Sequence, residues 1–257
     1  MKEVREIAFG IKPFEGHRTI LTGAGGLVGS KVKADFRIEG KDQVDLRDFE
    51  STLAYFTEQE ADTVIHCAAK VGGVMANMNF MGEFFYDSMA MNLNVLEAAR
   101  RSGVKKVVSF LSTCIYPDNV KYPLVETDLH MGEPHESNFG YAYAKRMLEV
   151  QSRAYRKQYG VNYVCVVPTN IYGPNDNFNL EGGHVVPALI HKCYLAKKNN
   201  TPLVIWGSGK PLREFVYSED MGKLINWAAL DYEEETPIIF SNSEEISIKD
   251  LVEAVVE

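Results

Sequence analysis

Immediately after the apolar run Arg18 to Leu21 the chain reads Thr22-Gly23-Ala24-Gly25-Gly26-Leu27-Val28-Gly29, with Gly23, Gly26 and Gly29 spaced three apart. A strand that empties into such a loop can turn tightly and bring its backbone close to a pyrophosphate, whose charge then sits at a helix N-terminus. A dinucleotide-binding parallel sheet uses this arrangement, although an ordinary glycine-rich turn carries the same spacing. The rest of the chain has to separate the two.

Short apolar runs alternate with longer segments of helical period. Strands are predicted over 18–21, 63–67, 107–111, 163–167 and 203–206, and helices over 49–59, 82–101 and 141–158. Strands that are apolar throughout, separated by helices, predict an α/β chain with a Rossmann-like doubly wound parallel sheet covered on both faces. Two stretches fit poorly. Only 16 steps separate Gly29 from Asp45, whereas a first helix, a turn and a second strand need roughly 25 to 30 residues in a βαβ unit. This crossover is therefore abbreviated or residues are missing from it. Met1 to His17 is charged and has no clear period, and it reads as a tail.

Composition closes off other classes. The 257 residues carry 27 Lys+Arg against 35 Asp+Glu, a net charge of −8. That balance, with no basic cluster, argues against a nucleic-acid partner. Nothing approaches the length of a membrane span, and Met1-Lys2-Glu3-Val4-Arg5-Glu6 lacks the apolar core of a signal peptide. A cytoplasmic protein with no membrane partner is expected. Cys67, Cys114, Cys165 and Cys193 form no CxxC pair, so free thiols are expected and no metal site. Cys67 and Cys165, inside apolar runs, read as core residues.

Chemistry-bearing residues gather at predicted strand ends. Asp45-Leu46 follows the short crossover, and Ala68-Ala69 ends the second strong strand, small enough for a cofactor to pack on the backbone there or simply to fill the core. A ribose 2′-phosphate would be read near the second strand, where Arg37 and Lys33 are candidates. Tyr141 and Lys145, four apart in a helical segment, share a face. A phenol of ordinary pKa near 10 needs a nearby cation to exchange protons at neutral pH, and Lys145 is placed to be that cation. With 13 Tyr and 17 Lys, about one such spacing arises by chance, and Tyr194 with Lys198 also fits it. Tyr194 lies among His191, Lys192, Lys197 and Lys198, a solvated helix end. Tyr141 instead follows Phe110-Leu111-Ser112-Thr113-Cys114, where a strand-end hydroxyl can meet a substrate. Ser112, Tyr141 and Lys145 are therefore the functional set.

Glycine loop, Ala-Ala strand end, strand-terminal Ser and Tyr-xxx-Lys helix together resemble the extended short-chain dehydrogenase/reductase family. Within it, Lys70-Val71-Gly72-Gly73, Ser112-Thr113-Cys114-Ile115-Tyr116-Pro117 and Asn138-Phe139-Gly140-Tyr141-Ala142-Tyr143-Ala144-Lys145 resemble the GDP-L-fucose synthase family. So do Pro168-Thr169-Asn170-Ile171-Tyr172-Gly173-Pro174, Asp176-Asn177-Phe178, His184-Val185-Val186-Pro187 and 206–215. The likeness runs from about Ile20 to the end of the chain.

The resemblance implies NADPH as cofactor and a GDP-sugar as substrate. GDP-4-keto-6-deoxy-D-mannose would be epimerised at carbons 3 and 5 and then reduced at carbon 4. Cys114 as base and His184 as acid would move the carbon protons, which the ketone acidifies. Tyr141 would protonate the developing alkoxide, Ser112 would hydrogen-bond it, and Lys145 would lower the Tyr141 pKa. The implied cofactor contacts are Gly23, Gly26, Leu27, Val28, Gly29, Asp45, Leu46, Ala68, Ala69, Pro168 and Asn170, with Tyr141, Lys145 and His184. The implied substrate contacts are Asn170, Lys192, Trp206 and Arg213, although a basic helix would also explain Lys192 and core packing would explain Trp206. The expected division is a dinucleotide-binding domain over 18–175 and a mainly substrate-binding part over 176–257 with returns to the sheet. Family chains continue for roughly sixty more residues, so this second part is expected to be short. A homodimer is implied through the helices holding Met89, Leu93, Leu96 and Met147, an apolar stripe that could instead only cover the sheet. A carbon-4-only epimerase or reductase and a non-catalytic cofactor-binding regulator remain competing readings.

Overall fold

The computed structural model describes residues 17–180 and 182–257. The lead-in over 1–16 lies outside the described residues. Strands β1 (Thr19–Thr22), β3 (Thr63–His66) and β4 (Lys106–Phe110) are buried at every position, which is why their sequences lack the alternation of a half-exposed strand. They join β2 (Phe36–Ile38), β5 (Asn162–Pro168) and β8 (Ile238–Phe240) in a six-stranded sheet of order β2-β1-β3-β4-β5-β8. Every pairing in it is parallel, with Thr22 opposite His66 and His66 opposite Ser109. This is the Rossmann-like arrangement expected.

One face is covered by α1 (Phe49–Gln59), α3 (Met81–Arg101) and α4 (Phe139–Tyr159). Phe56, Val95, Leu96 and Leu148 pack there against Ile20, Val64 and Val107. Helix α1 starts at Asp48, whose carboxylate accepts from the Ser51 amide at 2.8 Å, and α4 stops at Gly160 in the left-handed region. The opposite face is covered by α6 (Ser218–Asp231), through Met221, Ile225 and Ala228 against Leu21, Ile65 and Val164.

The crossover from 29 to 45 does hold a second strand, but a single 3-10 turn over Gly29–Lys31 stands in place of a first helix. Helix α6 closes over this turn, and a Cβ on Gly222 would lie 2.6 Å from the Lys31 carbonyl oxygen. Helix α2 (Val74–Asn79) precedes α3. A smaller sheet contains β6 (Asn170–Tyr172), β7 (Leu212–Tyr217) and β9 (Glu245–Ser247), in the order β6-β7-β9. Helix α7 (Ile248–Val256) packs on it, as does α6, and α5 (Val185–Asn199) packs on α7.

The strand expected at 203–206 is absent. Val204 is 67% and Trp206 75% exposed, and no described strand pairs with the segment. An apolar run becomes a strand only where a neighbour completes its hydrogen bonds. Strands β2, β6, β7, β8 and β9 escaped the sequence reading because each is short or half-exposed.

Candidate active site

A cleft of about 880 Å³ opens along the carboxyl ends of β1, β3, β4 and β5. Its floor is the glycine loop. Gly23 has φ +72°, and a Cβ there would sit 2.7 Å from the Ala68 amide nitrogen; on Gly29 it would sit 2.1 Å from the Gly23 oxygen. Neither position tolerates a side chain. Gly26 meets only the Gly23 oxygen, at 3.4 Å, and lines the cleft, so the loop leaves room for a close-lying diphosphate. The Arg37 guanidinium braces the loop from behind, donating to the carbonyls of Val32 at 2.8 Å, Ala24 at 3.0 Å and Gly29 at 3.2 Å. Arg37 thus supports the loop, and neither it nor Lys33 borders the cleft. Lys41 and Arg47 do. Arg47 chelates Asp45 at 2.7 and 2.9 Å and reaches Asp87 at 3.3 Å. Its hydrogen bonds hold the Asp45 carboxyl down at about 2. Arg47 follows Asp45-Leu46 directly, which was the available sequence signal.

The strand ends are tied by buried polar groups. His66 Nε2 donates to Asn92 Oδ1 at 3.0 Å, and its Nδ1 accepts from the Thr22 hydroxyl at 2.8 Å. Thr22 Oγ1 in turn accepts from the Ala68 amide at 3.3 Å. Burial, with Lys145 nearby, lowers the His66 pKa to about 3, so this ring is neutral. The Asn92 amide donates to the Ala144 carbonyl at 3.1 Å, beside Lys145 on α4. Cys165 is buried, as expected; Cys67 is half-buried and borders the cleft.

Beyond β4, Ser112 caps a 3-10 turn over Thr113–Ile115 and so carries its hydroxyl to 3.0 Å from the Cys114 sulfur. Tyr141 hydrogen-bonds Ser112, and burial holds the phenol far above its ordinary pKa. Lys145 is 1% exposed and donates from Nζ to the Phe110 carbonyl at 2.5 Å. Burial brings its pKa down to about 8, opposed by the thiols of Cys67, Cys114 and Cys165. At the phenol, burial and then the neighbouring Cys114 raise the pKa, against the Ser112 hydrogen bond, which lowers it. Tyr141 is consequently a protonated donor in this arrangement. Burial likewise raises the Cys114 thiol, partly offset by its Ser112 hydrogen bond.

His184 also borders the cleft, at the N-terminus of α5, with Nδ1 3.2 Å from Asp176 Oδ1. Asn170 links β6 to β7 by donating to the Glu214 carbonyl at 2.9 Å. All the residues assigned to catalysis and cofactor binding line this one cleft, as do Asn170 and Arg213. Lys192 and Trp206 do not. They meet each other instead, Lys192 Nζ lying 4.4 Å from the Trp206 ring centre, and Trp206 is solvent-exposed, not packed in the core. The alternative pair Tyr194 and Lys198 lies outside the cleft, with Tyr194 59% exposed.

Comparison with known proteins agrees with this geometry. The NAD dependent epimerase/dehydratase family pattern matches residues 19–241. A GDP-L-fucose synthase of Dictyostelium discoideum is 48% identical over 253 residues, covering 93% of this chain and 79% of the relative. A probable GDP-L-fucose synthase of Drosophila melanogaster is 41% identical, with 93% and 80% covered. Among solved structures, a GDP-L-fucose synthetase from Naegleria fowleri bound to NADP superposes with a TM-score of 0.87 at 42% identity, covering 93% of this chain and 77% of that one.

Proposed function

The chain belongs to the NAD dependent epimerase/dehydratase family and, within it, to the GDP-L-fucose synthases, and from that premise we propose the reaction and the residues that perform it. The substrate is GDP-4-keto-6-deoxy-D-mannose, epimerised at carbons 3 and 5 and reduced at carbon 4 to GDP-L-fucose. One observation carries the reading: Ser112, Cys114, Tyr141, Lys145 and His184 border the same cleft as the glycine loop.

NADPH, when bound, supplies the hydride for the carbon 4 ketone. Gly23, Gly26, Leu27, Val28 and Gly29 hold its diphosphate. Asp45, Leu46, Ala68 and Ala69 border the adenosine end, with Lys41 and Arg47 available to its 2′-phosphate. Tyr141, Lys145, Pro168, Asn170 and His184 border the nicotinamide end. In epimerisation the ketone makes the neighbouring C–H bonds acidic. The Cys114 thiolate takes a proton, an enolate forms on the sugar, and His184 returns a proton from the opposite face. In reduction the Tyr141 phenol protonates the oxygen at carbon 4, and the Ser112 hydroxyl steadies the charge as it develops. Lys145 supports the nicotinamide ribose, and Arg213, in the cleft, binds the GDP diphosphate; Lys192, with Trp206 beside it, is assigned to the same nucleotide although neither lines the cleft.

The reading includes a homodimer. Leu96 is fully buried in the core, but Phe85, Tyr86, Leu93 and Phe139 leave an apolar face on α3 and α4, with Tyr86 70% exposed. A monomer mass in light scattering would remove this part. Four free cysteines suit a reducing compartment, and no described helix is long and apolar enough to cross a membrane. We assign the protein to the cytoplasm, testable by fractionation. The division into 18–175 and 176–257 is kept as a functional one, with α6 and β8 returning to the large sheet.

The decisive experiment mixes the protein with GDP-4-keto-6-deoxy-D-mannose and NADPH, follows cofactor absorbance and identifies the sugar. Stoichiometric oxidation with GDP-L-fucose formed is expected. Oxidation without inversion at carbons 3 and 5 would select a carbon-4 reductase, and cofactor binding without turnover a non-catalytic protein.

A further inference from the structure

Asp176 is not among the cleft-lining residues, yet its side chain is only 4% exposed, whereas the His184 side chain, which borders the cleft, is 47% exposed. One carboxylate oxygen, Oδ1, accepts from the Asn177 amide at 2.7 Å and faces His184 Nδ1 at 3.2 Å. The other, Oδ2, is buried without a hydrogen bond among the described residues. A buried carboxylate with an unmet oxygen is unfavourable unless a cation offsets it. The imidazolium of His184 is the ion pair this site offers.

Described residues of the segment between the two are tied together. Asn177 Nδ2 donates to the Gly182 carbonyl at 3.3 Å, and the Gly73 amide donates to the same oxygen at 3.0 Å. A Cβ on Gly183 would lie 2.3 Å from the Asn177 oxygen and 2.5 Å from that of Asn179. The chain can therefore fold back only at glycine, and doing so sets Asp176 behind His184.

We propose that Asp176 is a positioning residue for epimerisation, binding His184 through Nδ1 so that Nε2 is the nitrogen that delivers the proton to the sugar. The inference rests on the assignment of His184 as the acid and names the group that aims it. Protons balance as follows: the C–H bond at carbon 3 or 5 breaks onto the Cys114 thiolate, a new C–H bond forms with the proton leaving His184 Nε2, and both groups reset by exchange with water. The Asp176 hydrogen bond raises the His184 pKa, against burial and the positive end of α5. That keeps more of the acid form near neutral pH. Cys67, Lys70, Cys114, Tyr141, Lys145 and Arg213 are among the other titratable groups that line the same cleft. Among the described residues, the charge that registers on His184 is that of Asp176.

The test compares Asp176→Asn, Asp176→Glu and His184→Asn in the full chain by two readouts. Nitrogen-15 NMR of the histidines should show the His184 titration midpoint falling in Asp176→Asn, with loss of the neutral form protonated on Nδ1, and partial recovery of both in Asp176→Glu. Deuterium incorporation at carbons 3 and 5 should fall about tenfold or more in Asp176→Asn, while NADP reduction by GDP-L-fucose, the reverse of the last step, changes much less. An unchanged His184 titration and exchange rate in Asp176→Asn overturns the proposal. Normal exchange in His184→Asn would instead remove His184 as the acid, and the NMR titration would still decide whether Asp176 sets its proton.

Discussion

The two walls of the cleft are built by opposite means. Ser112, Cys114, Tyr141 and Lys145 hang on the end of a fully buried strand and a 21-residue helix, and Lys145 and its neighbours Ala142, Ala144 and Leu148 are buried. His184 hangs on a turn in which no described residue between 173 and 184 belongs to a strand or helix and which is held by side-chain hydrogen bonds involving Asp176, Asn177 and Asn179. The wall that carries Tyr141, which we propose as the proton donor to the ketone oxygen, inherits its geometry from the core. The wall that carries His184, which we propose as the proton donor to two different carbons, is held by local polar contacts, which suits a group required at more than one place.

Four experiments probe this contrast. Tyr141→Phe should have the largest effect, lowering ketone reduction by about 10²- to 10⁴-fold while leaving deuterium exchange at carbons 3 and 5 largely intact. Cys114→Ser should do the reverse, and equal loss of both steps in both variants would erase the division. Leu148→Ala, in the rigid wall and 1% exposed, should destabilise the protein by about 2–5 kcal/mol in denaturant unfolding; a change well below this would mean that the wall is less well packed than its burial indicates. Asn177→Ala removes an acceptor for the Asn179 amide and a donor to Gly182. It should cost only about 1 kcal/mol of global stability yet slow exchange more than reduction, and equal slowing of both would contradict a purely local hold on His184.

The smallest effect concerns Lys145. Its pKa falls from 10.5 to about 8 on burial, so between those values the unfolded chain binds the proton that the folded chain has lost. Its contribution to stability therefore rises with pH across that window, and below about 8 the cost of burying the charge is fully present. Unfolding free energies measured against pH for the wild type and Lys145→Met should diverge in slope there. Parallel curves would mean that water reaches Lys145.

Legibility in the sequence followed the same divide. The wall on β4 and α4 could be read because buried parallel strands show as unbroken apolar runs and Tyr141 and Lys145 are one helical turn apart. The boundaries of α3 and α4 fall within two residues of the predicted starts. The first crossover, the small sheet and the 203–206 segment could not be read. Three-residue strands such as β2 and β8 carry too few side chains for a period, and Leu203 to Trp206 has strand composition without a strand to pair with. Within the site, Arg37 and Arg47 look alike in sequence, yet one braces the glycine loop from behind and the other borders the cleft.

Patterns read along the chain were enough to locate the glycine loop, the parallel α/β architecture and the Tyr141–Lys145 pair, because each shows as a spacing or an apolar run among neighbouring residues. Only the tertiary structure decided that Cys114 and His184, seventy positions apart, border one cleft, that Asp176 stands behind His184, and that Lys145 sits on the Phe110 carbonyl with a lowered pKa. Those outcomes depend on burial and on distances between elements, which arise when the sheet brings its strand ends to a common edge.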